Sequence, residues 1–219
     1  MKNPNLLEYE QAAELRGFSM IAGVDEAGRG PLAGPVVAGA VILPPGVSIP
    51  GLTDSKQLSS AQRDDFFTII NHTALGVSWA VVEADVIDRI NILQASLLAM
   101  LTAVKGLATA PGLILVDGNQ KTAWTGPQMT IVKGDSKSLS IAAASVIAKV
   151  TRDRIMQSHA LTYPQYGFDG HKGYGCKSHR EAIKTHGPCP IHRMTFRGVK
   201  EHVQSAAIPS GVQINLIGA

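Results

Sequence analysis

Two apolar runs, Met20 to Val24 and Val36 to Leu43, are separated by Asp25-Glu26-Ala27-Gly28-Arg29-Gly30-Pro31, and this arrangement restricts the fold more than any other stretch of the chain. Each run reads as a buried strand, and the glycines and prolines between them supply a turn, so together they predict an antiparallel hairpin through Gly28 to Pro35. Side chains alternate faces along a strand. Asp25 and Glu26 therefore converge only where the first strand is ending, and Ala27 to Pro31 is read as that ending. Glycine on both sides of Arg29 leaves the backbone free to turn and lets another molecule approach closely. Carboxylates placed there are candidate metal ligands.

Pro44-Pro45-Gly46 closes the hairpin, and Ser59 is a plausible N-cap for a helix through Arg63, Phe66, Phe67 and Ile70 to His72. Leu75 to Val82 reads as a third strand. Ala84 to Lys105 reads as one helix, with Ile87, Ile90, Leu93, Leu97, Leu98 and Leu101 at helical spacing. Pro111-Gly112 interrupts it, and Leu113 to Val116 follows as a short strand of the buried parallel kind, ending in Asp117-Gly118-Asn119. Met129 to Val132 is a further strand, closed by Lys133-Gly134-Asp135. A helix then runs to about Ser158, its apolar stripe formed by Leu139, Ala143, Val146, Ile147 and Val150. Asp135 would sit at or beside that helix's N-terminus, where the dipole and free amides favour a carboxylate; a simple helix cap is the plain alternative. A hairpin followed by alternating strands and helices predicts an α/β fold with a mixed sheet.

A chain of 219 residues with 45% hydrophobic and 17% charged residues is expected to form one globular domain. No apolar run approaches the roughly 20 residues of a membrane-spanning helix. Glu8, Glu10 and Glu14 lie where a secretory signal would need a basic and then an apolar stretch, so the cytoplasm is the expected compartment. Cys176 and Cys189 have no partners at zinc-like spacing and are expected to be free thiols. Charge is divided unevenly: up to Val132 there are 8 Lys and Arg against 12 Asp and Glu, and from Lys133 onward 12 against 5. Six of the seven histidines also fall in the second part. An acidic front and a basic back suit a protein that holds a polyanion across a metal site, although a solvated basic face would look the same.

Three strand ends thus carry acids: Asp25 with Glu26, then Asp117, then Asp135. In a sheet whose central strands adjoin, these four carboxylates would share one cleft and repel one another unless divalent cations bound them. Oxygen-only ligation favours Mg²⁺ or Mn²⁺ over zinc. Two such ions are suited to in-line displacement at phosphorus, so phosphodiester hydrolysis is the reaction class suggested.

The blocks GVDEAGRGPLAGPVVAGAVIL, DSKQLS, NILQASLLAM, LVDGN, KGDSKSLSIAAASVIAKVTRD and YPQYGFDGHKGYG occur together and in order. With them the chain resembles the bacterial ribonuclease HII family over roughly Ile21 to Val199. That resemblance implies a ribonuclease H-like fold, with a mixed five-stranded sheet flanked by helices and a C-terminal helical portion. It divides the chain into a catalytic core of about 20–158, a helical substrate-binding portion of about 159–204 and a tail of about 205–219 expected to be loose. It implies an endonuclease for RNA paired with DNA, including single ribonucleotides within a DNA duplex, that leaves 5′-phosphate and 3′-hydroxyl ends with the help of Mn²⁺ or Mg²⁺. The setting it implies is DNA replication and ribonucleotide excision repair, and nothing requires more than a monomer.

Carried over by position, the family's metal-binding acids are Asp25, Glu26 and Asp117, with Asp135 as the fourth acid of the catalytic set. Gly28, Arg29 and Gly30 match the segment that reads the ribose 2′-hydroxyl through its backbone, and Tyr174 matches the tyrosine that packs at the RNA–DNA junction. Lys56, Ser145 and Lys149 are expected phosphate contacts. Rival readings are a structure-specific DNA nuclease on the same fold and a non-catalytic hybrid-binding protein. The histidines other than His171 are expected to be surface or cap residues and are assigned no chemistry.

Overall fold

The computed structural model describes residues 6–203, so the tail expected to be loose lies outside the described residues. Its centre is a five-stranded sheet of β1 (Ile21–Ala27), β2 (Val36–Ile42), β3 (Gly76–Val82), β4 (Leu113–Asp117) and β5 (Gln128–Ile131), in the order β3-β2-β1-β4-β5. β1 and β2 form the expected antiparallel hairpin, with Asp25 opposite Gly39. β3 joins β2 antiparallel, whereas β4 lies parallel to β1 and β5 parallel to β4, so the sheet is mixed. β1 runs three residues further than the sequence suggests: Asp25 and Glu26 are still paired with β2, and the turn begins at Gly28.

Strand parity decides which helix each residue meets. Ala22 and Val24 of β1, Ala38 and Ala40 of β2, and Ile114 and Val116 of β4 pack with α3 (Ala84–Lys105) on one face. The alternate positions face α4 (Leu139–Thr162), which is buried along Leu139 to Ala148. Asp25 and Asp117 share the parity of the α4 face. α2 (Ser60–Thr73) lies outside α4 and starts with the expected cap, Ser59 and Gln62 forming a reciprocal capping box. A short α1 (Glu8–Glu14) precedes the sheet.

α3 departs from the single stripe read from its sequence. Asn91 takes φ 67°, and its side chain accepts from the amides of Leu93 and Gln94, so a second helical segment starts there. The break shifts the phase, and Ala95, Ala99, Met100, Ala103 and Val104 reach the core while Leu98 is exposed. By length and mean hydropathy (1.3) α3 could cross a membrane, but it lies on the sheet and carries Asp85, Asp88 and Arg89.

Beyond α4, the chain forms α5 (Phe168–His171) and α6 (Lys177–His186) around Tyr166, Phe168, Ile183 and Cys189. Cys189 is buried and Cys176 exposed, and both are free thiols. His179 and His192 belong to this core rather than to the expected surface, their Nε2 atoms 3.0 Å apart. Burial is the main cause that pushes each imidazole down to about 4, so both are neutral at pH 7. The unfolded chain, with ordinary imidazoles near 6.5, takes up protons first as the pH falls. Stability is therefore expected to be full above pH 6.5 and to fall between about pH 6.5 and 4, with a slope of up to about 1.4 kcal/mol per pH unit for each histidine. Urea unfolding across that range checks this, and His179→Gln should flatten the slope.

Candidate active site

The register Val24↔Val116 sets the end of β1 beside the end of β4, so Asp25 and Asp117 are neighbours on one face. Asp25 is 4% exposed, and its Oδ1 accepts the Glu26 amide at 2.7 Å. Burial, then the charges of Glu26, Asp117 and Asp135, raises its carboxyl well above the usual range. Burial also raises Glu26, to about 7, against the opposing pull of Arg29 at 3.5 Å.

Asp117 and Asp135 are joined by the backbone. The Gly134 amide donates to Asp117 Oδ1 at 2.6 Å, and a Cβ at Gly134 would stand 2.6 Å from Ile141 Cδ1, so glycine permits this close approach. Asp135 lies in a 3-10 turn, Gly134–Ser136, and the residue that caps α4 is Ser138, whose Oγ accepts from the Ile141 amide. The cap reading is thus displaced by three residues, leaving the carboxylate of Asp135 available to the cleft. Burial and then Asp54 and Asp117 raise Asp135, while Lys56 opposes.

Lys56 Nζ is 3.4 Å from Asp135 and 3.9 Å from Asp54. Burial would weaken its hold on a proton, but Asp54, Asp135 and Asp25 outweigh that and raise it. Asp54 is an acid the sequence reading passed over; its place two residues before Lys56, in the block DSKQLS, carried the signal. Ser145, expected to touch phosphate, is buried, accepts from the Ser55 amide at 3.3 Å and donates to Ala142 O. Its hydroxyl steadies the loop that presents Lys56. Lys149 points to Asp153 at 2.6 Å, on the side of α4 that meets Arg63, rather than to the acids.

Gly28, with φ 102°, turns the chain out of β1, and Arg29 and Gly30 are exposed. A Cβ at Gly30 would lie 3.8 Å from Tyr174 Cε1, so the expected ribose reader and junction tyrosine do meet. Tyr174 is 47% exposed, and its loop is tied to the turn where the Leu32 amide donates to Gly173 O at 2.8 Å. Arg152 and Arg193, absent from the sequence reading, are both fully buried behind this turn.

The profile of the family described as Ribonuclease HII matches residues 22–199. The chain belongs to the ribonuclease HII family. The ribonuclease HII of Geotalea daltonii is 57% identical over 204 residues, covering 93% of this chain and 94% of that protein. That of Geobacter sulfurreducens is 58% identical over 200 residues, covering 91% and 92%. Among solved structures, ribonuclease H2 from Pyrococcus horikoshii matches with a TM-score of 0.69 at 29% identity over 83% of this chain and 95% of that one. The Mn²⁺ complex of Bst-RNase HIII, at 19% identity and a TM-score of 0.61 over 83% and 68%, shares the fold. The sheet and helices are those of the ribonuclease H-like fold, and the protein is a ribonuclease H enzyme.

Asp25, Glu26, Asp117 and Asp135 fit divalent ions by their chemistry as hard oxygen donors, and burial, then mutual repulsion, raises the carboxyls of Asp25, Glu26 and Asp135. Among the described residues no three acids, imidazoles or thiols close into a finished metal-binding group, so the carboxylates border a cleft without forming a complete shell. Removing one buried charge should relieve the repulsion. Asp25→Asn, which keeps an oxygen for the Glu26 amide, is expected to raise stability at neutral pH in a chelator by on the order of 1 kcal/mol. The same variant should lose most of the thermal stabilisation that added Mn²⁺ gives the unsubstituted protein, as read by melting curves.

Proposed function

We propose that this enzyme hydrolyses the RNA strand of RNA–DNA hybrids and cuts on the 5′ side of ribonucleotides embedded in duplex DNA, using two divalent cations and leaving 5′-phosphate and 3′-hydroxyl ends. The observation that carries the reading is the shared field of Asp25, Glu26 and Asp117 at adjoining strand ends with Asp135 in the turn after β5, next to a glycine turn whose Gly30 faces Tyr174. Phosphodiester chemistry follows from the acids, and ribose selectivity from the turn.

Asp25, Glu26, Asp117 and Asp135 would hold the cations, Mn²⁺ or Mg²⁺. Bound there, these ions would acidify a water for attack on phosphorus and neutralise charge on the leaving oxygen. Lys56 offers a cation to a neighbouring phosphate while its bond to Asp135 keeps it at the cleft. Ser145 supports Lys56 through Ser55, and Lys149 would need to leave Asp153 to reach a phosphate. Gly28, Arg29 and Gly30 allow backbone contact with the 2′-hydroxyl, the group that distinguishes RNA from DNA at one nucleotide. Tyr174 would pack on the nucleotide at the junction. The enzyme would act as a monomer in the cytoplasm, in replication and ribonucleotide excision repair.

The deciding experiment is cleavage of a labelled duplex containing one ribonucleotide, with Mn²⁺ or Mg²⁺ and the cut mapped. Equal cutting of the all-DNA duplex would favour a structure-specific DNA nuclease, and binding without hydrolysis would favour a hybrid-binding protein. Asp117→Asn is expected to lower turnover by roughly two to four orders of magnitude while leaving substrate affinity within a few-fold; single-turnover kinetics and a binding titration separate the two. Tyr174→Ala should cost about tenfold or more on a single embedded ribonucleotide, since stacking one base on an aromatic ring contributes about 1–3 kcal/mol. A smaller loss is expected on a long hybrid, and the ratio of kcat/KM values reports it.

A further inference from the structure

The turn after β1 is held by its carbonyl oxygens, and the holder is Arg193. Its Nη2 donates to Gly28 O at 2.5 Å, Gly34 O at 3.0 Å and Pro35 O at 3.2 Å. Nη1 donates to Arg29 O at 3.0 Å and Pro31 O at 2.9 Å, and Nε to Gly34 O at 3.1 Å. Arg152 works alongside, donating from Nε to Pro35 O at 2.9 Å and from Nη2 to Ala33 O at 3.1 Å. Its Nη1 reaches Lys172 O at 3.0 Å, in the loop that carries Tyr174.

In a trans peptide the amide points opposite to the carbonyl of the same unit. Fixing Gly28 O therefore aims the Arg29 amide, and fixing Arg29 O aims the Gly30 amide, both away from Arg193. Among the described residues neither amide donates to another backbone carbonyl, and both residues are exposed. Two fully buried guanidinium groups solvated by carbonyls are a costly way to brace a turn, because an apolar filling of the same volume avoids the desolvation of charge. What a fork of donors supplies and an apolar filling does not is direction.

We propose that Arg193 is a positioning residue for ribose discrimination: by fixing the carbonyls of Gly28 and Arg29, it aims the amides of Arg29 and Gly30 at the 2′-hydroxyl. Arg152 has the companion role of setting the span between this turn and Tyr174. The inference rests on the ribose-reading function proposed above and assigns it to a specific pair of peptide units.

The test compares kcat and KM of the full chain on duplexes whose single variable sugar is ribose or 2′-fluoro-2′-deoxyribose, for the unsubstituted enzyme, Arg193→Lys, Arg193→Met and Arg152→Lys. Folded variants of Arg193 are expected to lose the preference for ribose by about tenfold to a hundredfold, the scale on which a small misplacement acts. Arg152→Lys should instead lower the preference for a single ribonucleotide over a long hybrid. A folded Arg193 variant that retains its ribose preference, with activity lowered equally on both sugars, would overturn the proposal and leave Arg193 a structural residue. If the Arg193 variants do not fold, amide shifts of Arg29 and Gly30 in the unsubstituted protein decide. Ca²⁺-supported binding of the ribonucleotide duplex should move both amides more than the all-DNA duplex does, and equal shifts would overturn it. Absence of ribose preference in the unsubstituted enzyme would instead defeat the proposed function itself.

Discussion

Direct contact between the backbone of α4 and the sheet is the constraint on which the site depends. A Cβ at Gly23 would lie 2.0 Å from the Ser140 carbonyl carbon, and one at Gly39 would lie 2.5 Å from Ala144 O. Neither position admits a side chain without moving the helix. Because the two glycines stand on adjacent strands, they fix both the distance and the direction of α4 across the hairpin. The approach of the helix start to β1 then carries the preceding Gly134–Ser136 turn to the end of β4, where the Gly134 amide bonds Asp117. Acids more than a hundred residues apart in the chain thus meet through two missing methyl groups.

The same packing explains the unusual electrostatics. Four carboxylates at one end of a sheet would be dispersed by repulsion if their backbones were free, yet each sits on a strand end or a turn tied by main-chain bonds. The cost appears as raised proton affinity at Asp25, Glu26 and Asp135, not as a displaced backbone. Behind the neighbouring turn the converse holds, with two guanidinium groups buried among carbonyl oxygens. Burial, and then the charge of Arg152, weakens the hold of Arg193 on its proton. One scaffold therefore supports a negative cleft and a positively braced turn within a few residues of each other.

Much of this was legible in the sequence because it is local or periodic. The hairpin, the Ser59 cap, the alternation of strands and helices, and the strand ends carrying acids all follow from short-range rules, and the motif blocks supplied the family. What escaped depends on partners distant in sequence. The leucines of α3 form a convincing stripe only if the helix is continuous, and a single left-handed Asn91 turns alanines inward instead. Arg152 and Arg193 could not be read as buried, since a charged residue defaults to the surface and backbone carbonyls leave no mark on the sequence. Ser145 and Lys149 lie on the right helix, but a residue letter does not say whether its side chain turns toward the acids or away from them.

These buried arginines also change how the charge asymmetry should be read. Of the 12 basic residues from Lys133 onward, Arg152 and Arg193 are fully buried and Lys149 is paired with Asp153, so none of the three presents a free cationic group for direct contact with a phosphate. Arg180 and Lys184 are exposed instead, and their spacing places them on one face of α6. That helix follows directly on the Tyr174 loop, and the His179 ring binds Tyr174 O at 2.9 Å. Exposed positive charge and the Tyr174 loop thus lie on consecutive segments, so on the function proposed above α6 would attract a duplex by charge while the turn facing Tyr174 would distinguish the sugar by direction.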